Sequence, residues 1–294
     1  MPVGASAAII EAMKDVVPEL TAATLLDAGD HARSLERARF KPLADLTRAE
    51  ALQAGIASER LARGERPVGY KIGFTNRAIW PLYGVFQPIW APVWDTTLTR
   101  AAAAGDGAPA AGARVVAARV VAARFAEPRL EPEIVVGLRD TPADDTPEAV
   151  LAATAWIAHA FEIVQSPFPG WRFSAAEAVA AQALHGALII GPTRPLGILG
   201  DAPDQALARL AALELELLCD GRLVARGRGA DALDGPMHAV AHLARELRRR
   251  GQSIAPGSLI TTGTLTDAQP LERGQRWESR LRGIDLPGLV LDVD

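Results

Sequence analysis

Residues 129–138 read Arg-Leu-Glu-Pro-Glu-Ile-Val-Val-Gly-Leu. Successive side chains on a strand alternate faces, so this pattern puts Glu131 and Glu133 on one face with backbones roughly 7 Å apart. Leu130, Ile134, Val135 and Val136 make the strand a packed one. Two aligned like charges there are unfavourable unless something positive lies between them, and carboxylates at this reach can clasp one cation. Pro132 offers no N–H to a ladder, which places the stretch at an edge or a bulge. The same spacing also suits two glutamates on a solvent face.

Working towards the N-terminus, Val68 to Phe74 reads as a strand, followed by a loop rich in Trp80, Tyr83, Phe86, Trp90 and Trp94 that suits a core, an interface or a pocket wall. The preceding sixty-odd residues read as helical. Asp45 is the cap of Thr47 to Arg63, where Ala49, Leu52, Ile56 and Leu61 recur at near-helical spacing before Gly64. Ala101 to Ala118 is rich in alanine and glycine. It leads into an echo, residues 115–119 repeated at 120–124, which is a local duplication and no solenoid repeat.

Towards the C-terminus, Thr146-Pro147-Glu148 opens a helix expected to run to about His159, and Phe161 to Gln165 follows as a short strand. Ser174 to Glu177 is a capping box, and Leu188 to Ile190 a buried strand closed by Gly191-Pro192. Asp220-Gly221 is the hairpin turn between Leu213–Cys219 and Arg222–Arg226. Gly235-Pro236 starts a helix with Met237, Val240, Leu243 and Leu247 on one face, and residues 258–262, 275–281 and 289–293 are again strand-like. Helices early and strands late define an α+β chain. The expected division is a helical region over 1–66 and a β-rich domain over 67–294.

The 294 residues carry 49% hydrophobic residues and a formal charge of −4, with 31 basic and 35 acidic residues interspersed. That balance offers no footprint for nucleic acid, which is not expected as a partner. Cys219 is the only cysteine, so the chain alone forms neither a disulfide nor a thiolate metal site, and a reducing compartment fits. Glu11, Asp15 and Glu19 interrupt the first twenty residues, unlike a signal peptide. The longest charge-free stretches are either broken by prolines or shorter than the roughly 20 residues a bilayer needs. The reading is a cytoplasmic protein without a membrane partner. Only Lys14, Lys41 and Lys71 are lysines among 31 basic residues, so each invites the question of what an ammonium does there.

Lys71 lies in an apolar strand between Gly69 and Gly73. It is a candidate acid/base group, or else an edge-strand lysine. Glu162, inside the apolar run from Ala158 to Val164, requires a counter-charge: a salt bridge to an arginine, or else a metal or catalytic role. His185 is either a proton relay or a satisfied structural histidine. Gly227 to Ala232 imitates a dinucleotide fingerprint, but Asp234-Gly235-Pro236 stands where an uninterrupted helix is required. With no serine elbow, cysteine nucleophile or histidine-rich pattern, the chemistry runs through carboxylates, a lysine and a hard metal.

Gly69-Tyr70-Lys71-Ile72-Gly73-Phe74-Thr75, Glu131-Pro132-Glu133-Ile134, Phe161-Glu162-Ile163-Val164 and the run from Gly257 to Thr262-Gly263-Thr264-Leu265 together resemble the 2-keto-4-pentenoate hydratase branch of the fumarylacetoacetate hydrolase superfamily. The resemblance covers Gly69 to the C-terminus. It implies a mixed β-sheet roll of the fumarylacetoacetate hydrolase C-terminal-domain type behind a helical N-terminal part, in a homo-oligomer. It implies Mg²⁺ or Mn²⁺ held by Glu131, Glu133 and Glu162, Lys71 as proton shuttle, and Thr262, Gly263 and Thr264 against a small 2-oxo acid substrate. The activity implied is addition of water to a 2-hydroxy-2,4-dienoate, giving a 4-hydroxy-2-oxo acid. Decarboxylation of a 2-oxo-3-enedioate, or C–C hydrolysis of an acylpyruvate, would use the same metal-enolate logic. Two departures stand out: Ile89 where the family pattern has an aspartate, and Ala181-Gln182 where it has an Asp-Asn pair, with His185 able to take over polar work. A catalytically reduced partner subunit is the reading these departures motivate.

Overall fold

The computed structural model describes residues 17–101 and 114–294. The segment before Val17 and most of the alanine- and glycine-rich stretch therefore lie outside the described residues. Arg129–Leu138 is an interior strand of a mixed sheet whose order is Ile89–Trp94, Pro67–Gly73, Leu259–Thr264, Arg129–Leu138, Thr154–Val164, His185–Ile190 and Leu98–Arg100. Pro67–Gly73 runs parallel to Leu259–Thr264, whereas Arg129–Leu138 is antiparallel to both of its neighbours. A second sheet, ordered Arg222–Arg228, Glu214–Cys219, Arg276–Arg282, Gly288–Val293 and Arg114–Val120, packs against the first through a shared core that includes Leu217, Leu289, Leu291, Ile157 and Phe161. Helix Pro236–Arg249 buries Met237, Val240, Leu243 and Leu247 in that core, as their spacing requires. The α+β reading with a mixed sheet holds.

Several local expectations hold as well. The Asp45 carboxylate accepts from the Thr47 N–H at the start of helix Leu46–Ala62, and Ser174 with Glu177 forms the capping box of helix Ala175–Ala180. These two helices and Ala22–Asp30 share a smaller core containing Leu25, Ala49, Ile56, Ala176 and Ala180. Leu61, expected on the buried face, is 55% exposed, because it falls in the last turn beyond the covered surface.

Two expectations are corrected. The helix opened by Thr146 is Pro147–Ala153 and does not reach His159, because Thr154, Trp156 and Ile157 begin a strand that pairs along the length of Arg129–Leu138. β-Branched and aromatic side chains fit that pleated surface better than a third helical turn. Pro132 does not mark an edge. Its strand is interior, and the irregularity lies in the partner, where the register slips between Thr261 and Thr264. The Leu265 N–H donates to the Pro132 carbonyl at 2.9 Å beyond that bulge, so the missing proline N–H faces the place where regular pairing has already ceased.

His159 joins the two sheets. Its Nδ1 lies 2.9 Å from the Glu133 carbonyl and its Nε2 2.8 Å from Ser279 Oγ. A carbonyl only accepts, so Nδ1 carries the proton and Nε2 accepts from the serine hydroxyl. Burial holds the imidazole down to about 4, against an ordinary 6.5. The unfolded chain binds the additional proton between those values, so stability falls as pH drops through the window, by up to about 3 kcal/mol. Denaturant titrations at about pH 7 and about pH 5 should show this component of the slope in the wild type and its loss in His159→Gln. An unchanged slope would remove His159 as its source.

Candidate active site

Strand pairing assembles the carboxylates. Glu131 sits directly opposite Glu162, and Glu133 opposite Ala160, so all three glutamates share one face of the sheet. One carboxylate oxygen from each lies within 4.8 Å of the others. Glu133 and Glu162 are fully buried, while Glu131 is partly open to a cavity of about 480 Å³. The Gly263 N–H donates to Glu133 Oε2 at 2.9 Å, and His185 Nδ1 contacts Glu162 Oε1 at 2.7 Å. The remaining oxygens, Glu133 Oε1 and Glu162 Oε2, accept no hydrogen bond, the latter having only the Lys71 ammonium at 3.4 Å as an ion-pair partner. Leaving such atoms bare costs on the order of 1–3 kcal/mol each, and more when charged.

Lys71 is the local counter-charge. Its strand lies beside Leu259–Thr264, and its Nζ donates to the Ala183 carbonyl at 3.0 Å and lies 3.4 Å from Glu162 Oε2. That carbonyl belongs to a turn in which Gln182, Ala183 and Leu184 all have positive φ, namely 58°, 50° and 64°. For residues bearing a Cβ this costs roughly 1–2 kcal/mol each, and the strained turn aims Ala183 at the lysine. Burial alone would lower the Lys71 pKa, but Glu162, Glu131 and Glu133 outweigh it and hold the ammonium above its ordinary value. Burial and Glu162 push Glu131 up to about 7. Burial, Glu162 and Glu131 raise Glu133 well above the usual range. Glu162 goes the other way: burial is overcome by Lys71 and the His185 hydrogen bond, and its pKa falls.

The donor set fits a divalent cation. Metal–oxygen bonds of about 2.0–2.6 Å put two ligands of one ion no more than about 5 Å apart, and hard ions prefer oxygen. The three glutamates meet both conditions, with two oxygens that accept no hydrogen bond.

Lys71, Glu131 and Thr264 line the 480 Å³ cavity. Thr262 is fully buried and its hydroxyl donates to the Ile134 carbonyl, whereas the Thr264 hydroxyl donates to the Thr266 carbonyl. The Gly263 N–H is on Glu133, and Gly263 has φ 101°, where a Cβ would fall 1.8 Å from Thr75 Oγ. His185 is not on the cavity wall; its Nε2 lies 2.9 Å from Thr97 Oγ, so both ring nitrogens are engaged. Ile89 walls the cavity beside Lys71, both within 4 Å of the position a Cβ on Gly73 would occupy. Ile89 is shared with a second cavity of about 520 Å³ lined by Gln53, Tyr70, Trp90 and Arg250, which contains none of the three glutamates. The aromatic cluster thus divides: Trp94 is core and Trp90 is a wall of that second cavity.

Sequence reasoning missed Thr75. The residue closes the Gly69–Thr75 motif, and the structure buries it on the cavity wall with its hydroxyl unpartnered. Its signal was the proximity to Lys71, four residues back; the bulge at Gly263 that meets it was not legible.

Residues 99–286 match the family model described as fumarylacetoacetate (FAA) hydrolase C-terminal, and the chain belongs to that family. Within it, the chain is 30% identical to a 2-keto-4-pentenoate hydratase of Paraburkholderia phymatum over 245 residues, 83% of this chain and 85% of the relative. It is 32% identical to a 2-hydroxyhexa-2,4-dienoate hydratase of Comamonas testosteroni over 227 residues, 76% and 78% of the two chains. The fold matches that of 4-oxalocrotonate decarboxylase from Pseudomonas putida G7, crystallised with magnesium and adipate. There the TM-score is 0.77 at 23% identity, covering 94% of this chain and all of that one. No helix among the described residues is long and apolar enough to cross a membrane.

Proposed function

We propose that this protein is a divalent-metal-dependent hydratase that adds water to a 2-hydroxy-2,4-dienoate and releases a 4-hydroxy-2-oxo acid. The observation that carries the reading is the convergence of Glu131, Glu133 and Glu162 beside Lys71 on one cavity, in a chain whose relatives include several dienoate hydratases as well as a 4-oxalocrotonate decarboxylase. Glu131, Glu133 and Glu162 would hold the ion, Mg²⁺ or Mn²⁺. When bound, it supplies positive charge against the negative charge that develops at the substrate's C2 oxygen. Lys71 moves the protons: one reaches the far carbon as the dienol becomes a conjugated ketone, water adds at C4, and C3 takes the last proton. His185 fixes the orientation of Glu162 by its 2.7 Å hydrogen bond and is itself steadied by Thr97. Gly263 holds Glu133 through its N–H, Thr262 fixes the bulge through Ile134, and Thr264 faces the substrate. Assembly as a homo-oligomer in the cytoplasm belongs to the same proposal.

The test is consumption of 2-hydroxypenta-2,4-dienoate by Mn²⁺-loaded protein, followed by loss of dienol absorbance and recovery of the 4-hydroxy-2-oxo acid. Metal-dependent turnover supports the reading. Release of carbon dioxide from a 2-oxo-3-enedioate, without hydration, would move the reaction to decarboxylation. Oxalate binding without turnover of any dienol would leave a partner subunit.

A further inference from the structure

The face of the sheet that carries the glutamates continues outward to Arg129. Arg129, Glu131 and Glu133 alternate with Leu130 and Pro132, and the pairing with Thr154–Val164 is unbroken from Arg129 to Gly137, so the three side chains share one face. They form a gradient: Glu133 is fully buried, Glu131 and Arg129 are partly exposed, and Glu131 and Arg129 both line the 480 Å³ cavity. The Arg129 guanidinium stacks over the Trp171 ring at 4.2 Å from its centroid, and Trp171 lines the same cavity. The indole is itself fixed, its N–H donating to the Glu127 carbonyl at 2.9 Å.

The guanidinium is close enough to Glu131 to favour its carboxylate form, yet makes no ion pair with it. Among the described residues no carboxylate lies within 4 Å of it, although 28 of the 31 basic residues are arginines and many of the others are paired. Asp267, also on the cavity wall, is not paired with it. Stacking on tryptophan occupies one face of the plane and leaves the edge, with its N–H groups, free to donate. A cation held by an aromatic on the wall of the cavity that also carries Glu131 offers a substrate carboxylate a ready partner, which an apolar tail would not use.

Resting on the hydratase reading of this site, we propose that Arg129 receives a second, distal carboxylate, and that the substrates are dicarboxylic: 2-hydroxy-2,4-dienoates or 2-oxo acids with an acid group at the far end. Same-face residues of a strand are roughly 7 Å apart, about the span of an extended five- or six-carbon diacid between a head at the glutamates and a tail at Arg129. A bidentate pair with a planar guanidinium also sets the direction of the chain in the cavity.

The experiment compares two 2-oxo acids of equal length on Mn²⁺-loaded protein by calorimetry, 2-oxoglutarate with its distal carboxylate and 2-oxopentanoate without it. The dicarboxylic acid should bind at least about tenfold more tightly, as a charge-assisted pair requires. In Arg129→Gln the ratio should fall towards one, and Arg129→Lys should restore only part of it. Equal affinities in the wild type, or a preference that survives Arg129→Gln, overturn the inference and leave the hydratase reading intact. Failure of both acids to bind, with no Mn²⁺ bound either, overturns the site reading and this inference with it.

Discussion

In Glu133→Gln, Mn²⁺ titration of the metal-stripped protein should show affinity weakened by at least about 100-fold, while the metal-free variant melts above the metal-free wild type. Both expectations come from one atom arrangement. Removing a partner that merely orients a ligand costs about 10–100-fold in metal affinity, so removing one of three carboxylates costs at least the upper figure. Without metal the same carboxylate is a liability: it is fully buried, crowded by Glu131 and Glu162, and one of its oxygens has no donor. A glutamine can keep the Gly263 N–H on its carbonyl oxygen and turn its amide towards Glu162 Oε2, which accepts no hydrogen bond. It thereby removes a like charge and satisfies an orphan, and each kcal/mol gained raises the melting temperature by roughly 2–4 °C in a chain of this size. Adding Mn²⁺ should then stabilise the wild type by mass action and leave the variant almost unmoved. His185→Leu, read in the same titration, should lose about 10–100-fold, because Glu162 Oε1 gives up its 2.7 Å partner while the carboxylate remains. Wild-type affinity in Glu133→Gln would separate the glutamate cluster from metal binding, and a metal-free melting point that falls would show that the buried Glu133 carboxylate is no liability without metal.

The parts of this site that were legible in the sequence are those set by local rules. A period of two puts Glu131 and Glu133 on one face, and a carboxylate inside an apolar run marks Glu162 as requiring a partner. Helix starts were readable because capping is decided within four residues, as at Thr146 and Ser174. What was not legible depends on pairing between distant segments. The register that sets Glu131 against Glu162 extends the second strand back to Thr154, through residues whose spacing also suited a helix. The positive-φ turn at Gln182 to Leu184 contains no glycine, so nothing in its composition announced that Ala183 would bend its carbonyl onto Lys71. His185 follows from the same turn. It was a candidate relay by type, and the fold turns both its ring nitrogens away from the cavity, to Glu162 and Thr97.

Lys71→Met should reduce turnover by about 10²–10⁴-fold, the usual worth of a positioned acid/base group, without weakening Mn²⁺ binding. The two readouts separate because Lys71 is a neighbour of the glutamates and does not belong to their donor set. Its ammonium lies 3.4 Å from Glu162 Oε2, so a cation entering the cluster is repelled by it, and a neutral thioether of similar length relieves that repulsion. Affinity for Mn²⁺ should therefore hold or rise. Proton transfer is the function that methionine cannot replace. Exchange of the C3 protons of bound 2-oxobutanoate into deuterated solvent isolates that transfer from the addition of water, and it should vanish in Lys71→Met. Lys71→Arg makes the distinction between charge and proton: it restores a cation at the position, but a guanidinium does not hand a proton to carbon and take it back as an amine can, so exchange should stay lost. Recovery of exchange in Lys71→Arg would show that the site requires only positive charge there. Unchanged exchange in Lys71→Met would transfer the proton to another group on the cavity wall, and the unpartnered hydroxyl of Thr75 would be the first to substitute.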